Sequence, residues 1–131
     1  MKQEKKIFVV DDDPFWRIML TKILKDLGYN DIVQFENGSN CLDSLGLNPS
    51  LVFLDYQMED INGLEVLQQI KKYLPGIGVV FCTAHQDLNV AVNAMKFGSF
   101  DYLLKENASK KEVAAIIANI EKSRVVTDGI F

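Results

Sequence analysis

Residues 7–14 read Ile-Phe-Val-Val-Asp-Asp-Asp-Pro, an apolar run that ends in three acids and a proline. Four apolar residues rich in β-branched side chains predict a buried strand. Asp13 is a suitable helix N-cap, and proline is favoured at the first helical position. Trp16, Leu20 and Leu24 then recur with helical spacing. The stretch therefore predicts a buried strand and an amphipathic helix, with carboxylates and Trp16 near their junction.

The same strand and helix unit recurs along the chain. Apolar runs at 32–35, 51–54, 77–82 and 100–104 predict four more strands, and periodic segments at 39–45, 64–70, 88–95 and 113–120 predict four more helices. Gly28 lies beyond the first helix, Gly46 is expected to end the second, and Ser109 with Glu112 forms a capping signal for the last. Alternating strands and helices with nearly all-apolar strands predict an α/β fold, a doubly wound five-stranded parallel sheet.

Length and composition limit the classes of protein. At 131 residues with 48% hydrophobic and 24% charged residues, the chain is expected to form a single domain, with a core at about 5–123 and a short tail at 124–131. A net charge of -4 without a basic cluster argues against direct nucleic-acid binding. The N-terminal apolar run is too short for a signal peptide or a membrane span, so we expect a cytoplasmic protein without a membrane partner. Cys41 and Cys82 lie in apolar runs and are expected to be small buried side chains.

Polar residues follow the predicted strands where those strands end. Asp11 and Asp12 follow the first strand, Asp55 the third, Thr83 the fourth and Lys105 the fifth. In open α/β sheets, ligands bind outside the carboxyl ends of the strands. Clustered carboxylates repel one another unless a cation lies among them, and Mg²⁺ suits acids that have no Cys or His beside them. A hydroxyl and an ammonium facing that cation indicate an anionic guest such as a phosphoryl group.

Four motifs in this order resemble the receiver domain of two-component response regulators over essentially the whole chain. They are the acidic pair in 9–14, the loop Leu54-Asp55-Tyr56-Gln57-Met58 followed by Gly63, the hydroxyl in Phe81-Cys82-Thr83-Ala84, and the segment 98–105 that ends in Tyr102-Leu103-Leu104-Lys105. The resemblance implies the flavodoxin-like strand order 2-1-3-4-5.

The resemblance also implies a phosphorylation site. Asp55 would accept a phosphoryl group from a histidine kinase or a histidine phosphotransfer protein. Mg²⁺ would be bound by Asp11, Asp12, Asp55 and the backbone carbonyl of Gln57, with Asp11 acting largely through water. The domain would assist its own phosphorylation and dephosphorylation without being an enzyme in any other sense.

The resemblance further implies a switch. Thr83 and Lys105 would hold phosphoryl oxygens, and movement of Thr83 would let Tyr102 turn inward. That turn would change the surface formed by the fourth helix, fifth strand and fifth helix, which would signal to a target protein or output domain. The same surface is one through which receiver domains form homodimers.

Two acids depart from the family pattern. Glu59 and Glu106 each stand where proline is usual, so the peptide after Lys105 is not expected to need the cis form. These departures leave open a receiver-like interaction module that acts without phosphorylation. A third alternative is a haloacid-dehalogenase-like phosphatase, since residues 8–13 also resemble its Asp-x-Asp motif, with Asp11 as nucleophile and Asp13 as acid.

Overall fold

A computed structural model of the chain describes residues 5–130, with side chains described up to Ser123. Residues 1–4 of the N-terminal segment lie outside this range. Phe131, the last residue of the expected tail, also lies outside it. The strands are β1 (Lys6–Val10), β2 (Asp31–Phe35), β3 (Leu51–Asp55), β4 (Gly78–Thr83) and β5 (Asp101–Leu104). The helices are α1 (Pro14–Asp26), α2 (Gly38–Asp43), α3 (Gly63–Tyr73), α4 (Leu88–Lys96) and α5 (Lys110–Ile130), with 3-10 turns at Leu45–Leu47 and Lys105–Asn107.

The strands form one parallel sheet in the order β2-β1-β3-β4-β5, which confirms the predicted fold class. Val10 of β1 pairs with Leu54 of β3, so the next residues, Asp11 and Asp55, lie side by side. Thr83 of β4 pairs with Leu104 of β5. The parallel register therefore brings the polar residues that follow β1, β3, β4 and β5 to one edge of the sheet.

Both faces of the sheet are covered, and this explains why the strands are almost continuously apolar. On one face, Phe8, Leu54 and Phe81 pack with residues of α2, α3 and α4. On the other face, Val9 and Phe53 pack with residues of α1 and α5. Both cysteines are buried and free, as expected. Within the described residues, no helix is long and apolar enough to cross a membrane.

The predicted caps of α1 and α5 are confirmed. The Asp13 carboxylate accepts a hydrogen bond from the Phe15 amide at 3.0 Å, with Pro14 at the first helical position. The Ser109 hydroxyl accepts one from the Glu112 amide at 3.1 Å. Gly28 follows α1 with φ of 100°, a conformation that favours glycine.

Two boundaries differ from the predictions. The second helix spans Gly38–Asp43, and the left-handed residue beyond it is Asn48 with φ of 59°, whereas Gly46 was expected to end the helix. Asparagine tolerates this conformation because its short polar side chain can bond locally. The last helix continues to Ile130, where a separate tail was expected at 124–131. No proline, and no glycine before Gly129, interrupts it, and adding a residue to an existing helix is far easier than starting one. The single-domain division remains a prediction.

Candidate functional site

A half-buried lysine contacts two buried aspartates at the carboxyl edge of the sheet. The Lys105 ammonium lies 2.6 Å from Asp11 Oδ2 and 3.4 Å from Asp55 Oδ1. Asp11 is fully buried, Asp55 is 4% exposed, and the Lys105 side chain is 17% exposed. Each group lies at the end of a different strand, and the strand register brings the three to the same edge of the sheet. The sequence identifies these residues but does not give the distances between them. The structure thus confirms that these three predicted site residues come together.

Asp11 is held by three contacts from its own neighbourhood. Its Oδ1 accepts a hydrogen bond from the Asp13 amide at 2.9 Å. The Arg17 guanidinium donates to the Asp11 carbonyl at 2.6 Å, and the Asp11 amide donates to the Phe35 carbonyl at 3.0 Å. Oδ2 contacts the Lys105 ammonium at 2.6 Å and has no other polar partner among the described residues. A buried carboxylate oxygen with spare acceptor capacity is a natural ligand for a cation.

Asp12 completes a cluster of carboxylates at the mouth of this site. One oxygen from each of Asp11, Asp12 and Asp55 lies within 4.8 Å of the others, with Asp12 exposed and the other two buried. No Cys or His belongs to this group, so its oxygen ligands fit a hard divalent ion. When all four groups are ionised, the three carboxylates and the Lys105 ammonium have a net charge of -3 + 1 = -2. The residues present therefore fit Mg²⁺.

The electrostatics of the pocket show how far it is from balance without a divalent cation. Burial, and after it the neighbouring charge of Asp11, raises the pKa of Asp55 to about 7 against the opposing effect of Lys105. Burial likewise raises the pKa of Asp11, although hydrogen bonding to Lys105 counteracts it. For Lys105, burial lowers the pKa, but bonding to Asp11 and the charge of Asp55 outweigh it and the pKa is raised. Lys105 therefore stays charged, while the two buried acids compete for full ionisation.

Thr83 and Tyr102 meet at one backbone carbonyl. The Thr83 hydroxyl donates to the His85 carbonyl and accepts from the His85 amide, each at 3.3 Å. The Tyr102 hydroxyl donates to the same carbonyl at 3.3 Å, and its ring stacks on Phe81 with centroids 6.4 Å apart. The two residues expected to form a switch are therefore linked through His85. The sequence did not indicate that the His85 carbonyl accepts both hydrogen bonds, because every residue has a backbone carbonyl.

Gln57 lies in the loop after β3. It lines a cleft of about 390 Å³ together with Asp12, Tyr56 and Glu59. Gln57 is exposed, and the role expected for its carbonyl remains a prediction. Glu59 is also exposed, and all described peptide bonds, including the one after Lys105, are trans.

Gly63 ends this loop where its backbone crosses that of β3. A Cβ at position 63 would lie 2.3 Å from the Asp55 carbonyl oxygen and 2.7 Å from the Tyr56 Cα. The Gly63 amide also donates to the Tyr56 carbonyl at 2.8 Å. Only glycine allows so close an approach. The glycine eight residues after Asp55 therefore sets the path of the loop that carries Asp55 into the pocket.

Asp60 is a structural residue of the same loop that pattern reading missed. Its carboxylate accepts from the Gly38 and Ser39 amides at 3.2 and 2.9 Å and from the Ser39 hydroxyl at 2.8 Å. Although slight burial opposes it, these hydrogen bonds lower the pKa of Asp60. Its partners lie more than twenty residues earlier in the chain, so no local spacing indicates them. Asp60 therefore ties the loop after β3 to the beginning of α2.

Comparison with known proteins agrees with this fold. The sequence model of the family described as "Response regulator receiver domain" matches residues 7–117. The chain is 38% identical over 111 residues to the DNA-binding transcriptional regulator NtrC of Escherichia coli K12, covering 84% of this chain and 24% of NtrC. It is 31% identical over 112 residues to the chemotaxis protein CheY of Listeria monocytogenes, covering 85% of this chain and 94% of CheY.

Solved structures give the same result. The receiver domain of a LuxO repressor protein from Vibrio parahaemolyticus superposes with a TM-score of 0.86 at 26% identity, covering 98% of each chain. A receiver domain from Clostridium thermocellum gives 0.83 at 28% identity, covering 93% of this chain and 98% of its own. This chain belongs to the response regulator receiver domain family of two-component signalling. It spans about a quarter of the length of NtrC.

Proposed function

We propose that Asp55 accepts a phosphoryl group from a phosphohistidine and that this covalent change is the signal the domain transmits. The observation that supports this most directly is the Lys105 ammonium between Asp11 and Asp55 in a buried pocket. A carboxylate beside a fixed cation at a strand end can meet the three oxygens of a phosphoryl group with charge compensation.

The protein's own part in the transfer is modest. One Asp55 oxygen forms a bond to phosphorus as the bond between phosphorus and the donor imidazole breaks. Lys105 offsets charge on the transferred oxygens and favours the ionised form of Asp55, which is the nucleophile. Thr83, 4% exposed at the end of β4, offers its hydroxyl to another oxygen. Positioning and charge compensation are most of what phosphoryl transfer requires.

Mg²⁺ completes the proposed site. Asp11, Asp12, Asp55 and the Gln57 carbonyl would hold it, with Asp11 acting largely through water. When bound, the ion supplies the positive charge that neutralises the developing charge on the phosphoryl oxygens. The excess of two negative charges and the unused acceptor capacity of Asp11 Oδ2 support this assignment.

The signal would leave the site through Thr83 and Tyr102. If the Thr83 hydroxyl turns to a phosphoryl oxygen, it gives up its bond to the His85 carbonyl, and Tyr102 becomes the remaining side-chain donor described there. The loop before α4 and the position of Tyr102 on β5 are then coupled to the state of Asp55. Phosphorylation would thereby bias the α4, β5 and α5 surface between two arrangements.

The proposed phosphodonor is a histidine kinase or a histidine phosphotransfer protein, and the receiver of the signal is a target protein or an output domain. Among the relatives, NtrC is a DNA-binding regulator that is much longer than this chain, whereas CheY is nearly covered by it. Both kinds of output therefore remain in the proposal. Homodimerisation through the same α4, β5 and α5 surface is a further proposal.

The function is tested by phosphorylation with acetyl phosphate and Mg²⁺, followed by intact mass and by mapping of the acyl phosphate after borohydride reduction. Wild-type protein is expected to gain one phosphoryl group on Asp55, and Asp55→Asn none. Asp26→Asn is a matched control, because Asp26 is an exposed acid of α1 whose partner is Lys22 at 3.6 Å. It should label like the wild type.

The alternatives predict different outcomes in the same experiment. Label on Asp11, or multiple-turnover hydrolysis that survives Asp55→Asn, would favour the phosphatase. Normal Mg²⁺ binding without any label would favour a module that acts without phosphorylation. The BeF3-activated receiver domain of DrrB, which superposes with a TM-score of 0.82 at 25% identity, suggests beryllofluoride as an independent probe.

A further inference from the structure

The Lys105 ammonium has an aromatic partner in addition to its two carboxylates. It lies 5.3 Å from the centroid of the Trp16 ring, within the distance at which a cation is attracted to an aromatic face. Trp16 is 4% exposed and the Lys105 side chain 17%. Because water is largely excluded from both, the attraction is stronger than at an exposed site.

The Trp16 ring is packed in the core and lies close in sequence to Asp13, whose amide binds Asp11. Trp16 lies in the first turn of α1, two residues beyond Pro14, and packs in the core between α1, α5 and the sheet. Asp13, which caps this helix, also donates its amide to Asp11. The position of the Trp16 ring is therefore coupled to that of Asp11, and the ammonium is in reach of both.

An aromatic face differs from a carboxylate in one respect that matters for the proposed reaction. It attracts the ammonium without an oxygen that competes with the phosphoryl group for the hydrogen bonds of Lys105. The 2.6 Å contact with Asp11 would otherwise be the dominant attraction and would draw the ammonium away from Asp55, which is already 3.4 Å distant. The ring thus attracts the ammonium without an oxygen acceptor of its own.

We propose that Trp16 is a positioning residue for Lys105, holding the ammonium where it meets an oxygen of a phosphoryl group on Asp55. This inference rests on the proposed function of Asp55. Trp16 touches no reacting atom and acts only through Lys105. A role in packing alone would make the same residue important for stability but indifferent to the presence of the lysine charge.

The test compares Trp16→Phe, which keeps a ring, with Trp16→Leu, which keeps an apolar side chain without one. At saturating Mg²⁺, Trp16→Leu is expected to lower the maximal rate of acetyl phosphate labelling of Asp55 about three- to tenfold, and Trp16→Phe to lower it less. The Mg²⁺ concentration at half-maximal labelling should change less than about twofold in both. Trp16→Met, which also lacks a ring, is the substitute if the leucine variant does not fold.

A double-mutant cycle separates positioning from packing. In a Lys105→Met background, Trp16→Leu is expected to cause no further loss of labelling rate, because the group that the ring positions is gone. A direct readout is the NMR signal of the Lys105 Cε methylene, which the Trp16 ring current should shift in wild-type protein and not in Trp16→Leu. Equal losses with and without the lysine, or equal labelling by wild type and Trp16→Leu, would overturn the inference.

Failure of the proposed function gives another pattern. If wild-type protein is never labelled on Asp55, the function fails and this inference fails with it. If wild-type protein is labelled on Asp55 and the Trp16 variants are labelled at the same rate, the function stands and the inference alone is wrong.

Discussion

Replacing Asp55 by asparagine removes the proposed phosphoacceptor, and it should also make the metal-free protein more stable at alkaline pH. Asp55 is 4% exposed, lies beside Asp11, and has its pKa raised to about 7 by burial and then by that neighbouring charge. Its carboxyl therefore keeps a proton in the folded state at pH values where the unfolded chain has lost it. Stability must then fall as pH rises through this range, because the folded state binds more protons than the unfolded state.

The magnitude follows from the two pKa values. The unfolded reference is 3.8 and the folded value about 7, and each unit corresponds to about 1.4 kcal/mol. Integrated, the raised pKa of Asp55 lowers the free energy of unfolding by about 4 kcal/mol at pH 8 and by about 2 kcal/mol at pH 5. Asparagine does not titrate, so the stability of Asp55→Asn relative to wild type should rise by about 2–3 kcal/mol between these pH values. Loss of the repulsion between Asp55 and Asp11 also stabilises the variant at the higher pH.

The assay is urea unfolding in EDTA at several pH values from 5 to 8, followed by the fluorescence of Trp16, the only tryptophan in the chain. Circular dichroism serves as a second probe of two-state behaviour. Asp26→Asn is the control, and its curve should stay within about 0.5 kcal/mol of wild type throughout. If the free energies of unfolding of Asp55→Asn and wild type change with pH in parallel, the reasoning is refuted. Ionisation of the buried Asp55 carboxyl would then not destabilise the folded protein.

Three further predictions concern the loop, its anchor and the metal. Gly63→Ala should lower the free energy of unfolding in urea by about 1–3 kcal/mol and slow labelling of Asp55, because the new Cβ would lie 2.3 Å from a backbone oxygen. Gly46→Ala is the control and should be nearly neutral, because a Cβ there meets no atom within 4 Å. Equal behaviour of the two variants would contradict this prediction. Asp60→Ala should destabilise by about 1 kcal/mol through loss of its hydrogen bonds to the start of α2, and an unchanged urea midpoint would show that water replaces them. Mg²⁺ should raise the melting temperature of wild-type protein, and Asp12→Asn should need at least about tenfold more Mg²⁺ for the same rise; identical titration curves would remove Asp12 from the metal site.

The polar residues of the site could be predicted because each follows an apolar run directly. Asp11, Asp55 and Lys105 were identified from that position, and the parallel register confirms that they meet. Trp16 was expected near the acids because the helix begins beside them, but its distance from the Lys105 ammonium depends on how α1 packs against β1 and β5. Asp60 was missed, because its partners in α2 lie far away in sequence.

The sequence by itself determined the class of fold, the approximate bounds of the strands and helices, and the kind of chemistry at the strand ends. It could do so because hydrophobic periodicity, caps and the ends of apolar runs are local properties that neighbouring residues specify. Only the tertiary structure decided that Lys105 lies 2.6 Å from Asp11 and 3.4 Å from Asp55, that the Trp16 ring lies against the same ammonium, and that Thr83 and Tyr102 share the His85 carbonyl. Apart from the bond between Thr83 and His85, these contacts join residues that are from 17 to 94 positions apart. Their geometry depends on strand register and on the packing of helices across both faces of the sheet, which no single segment of the chain specifies.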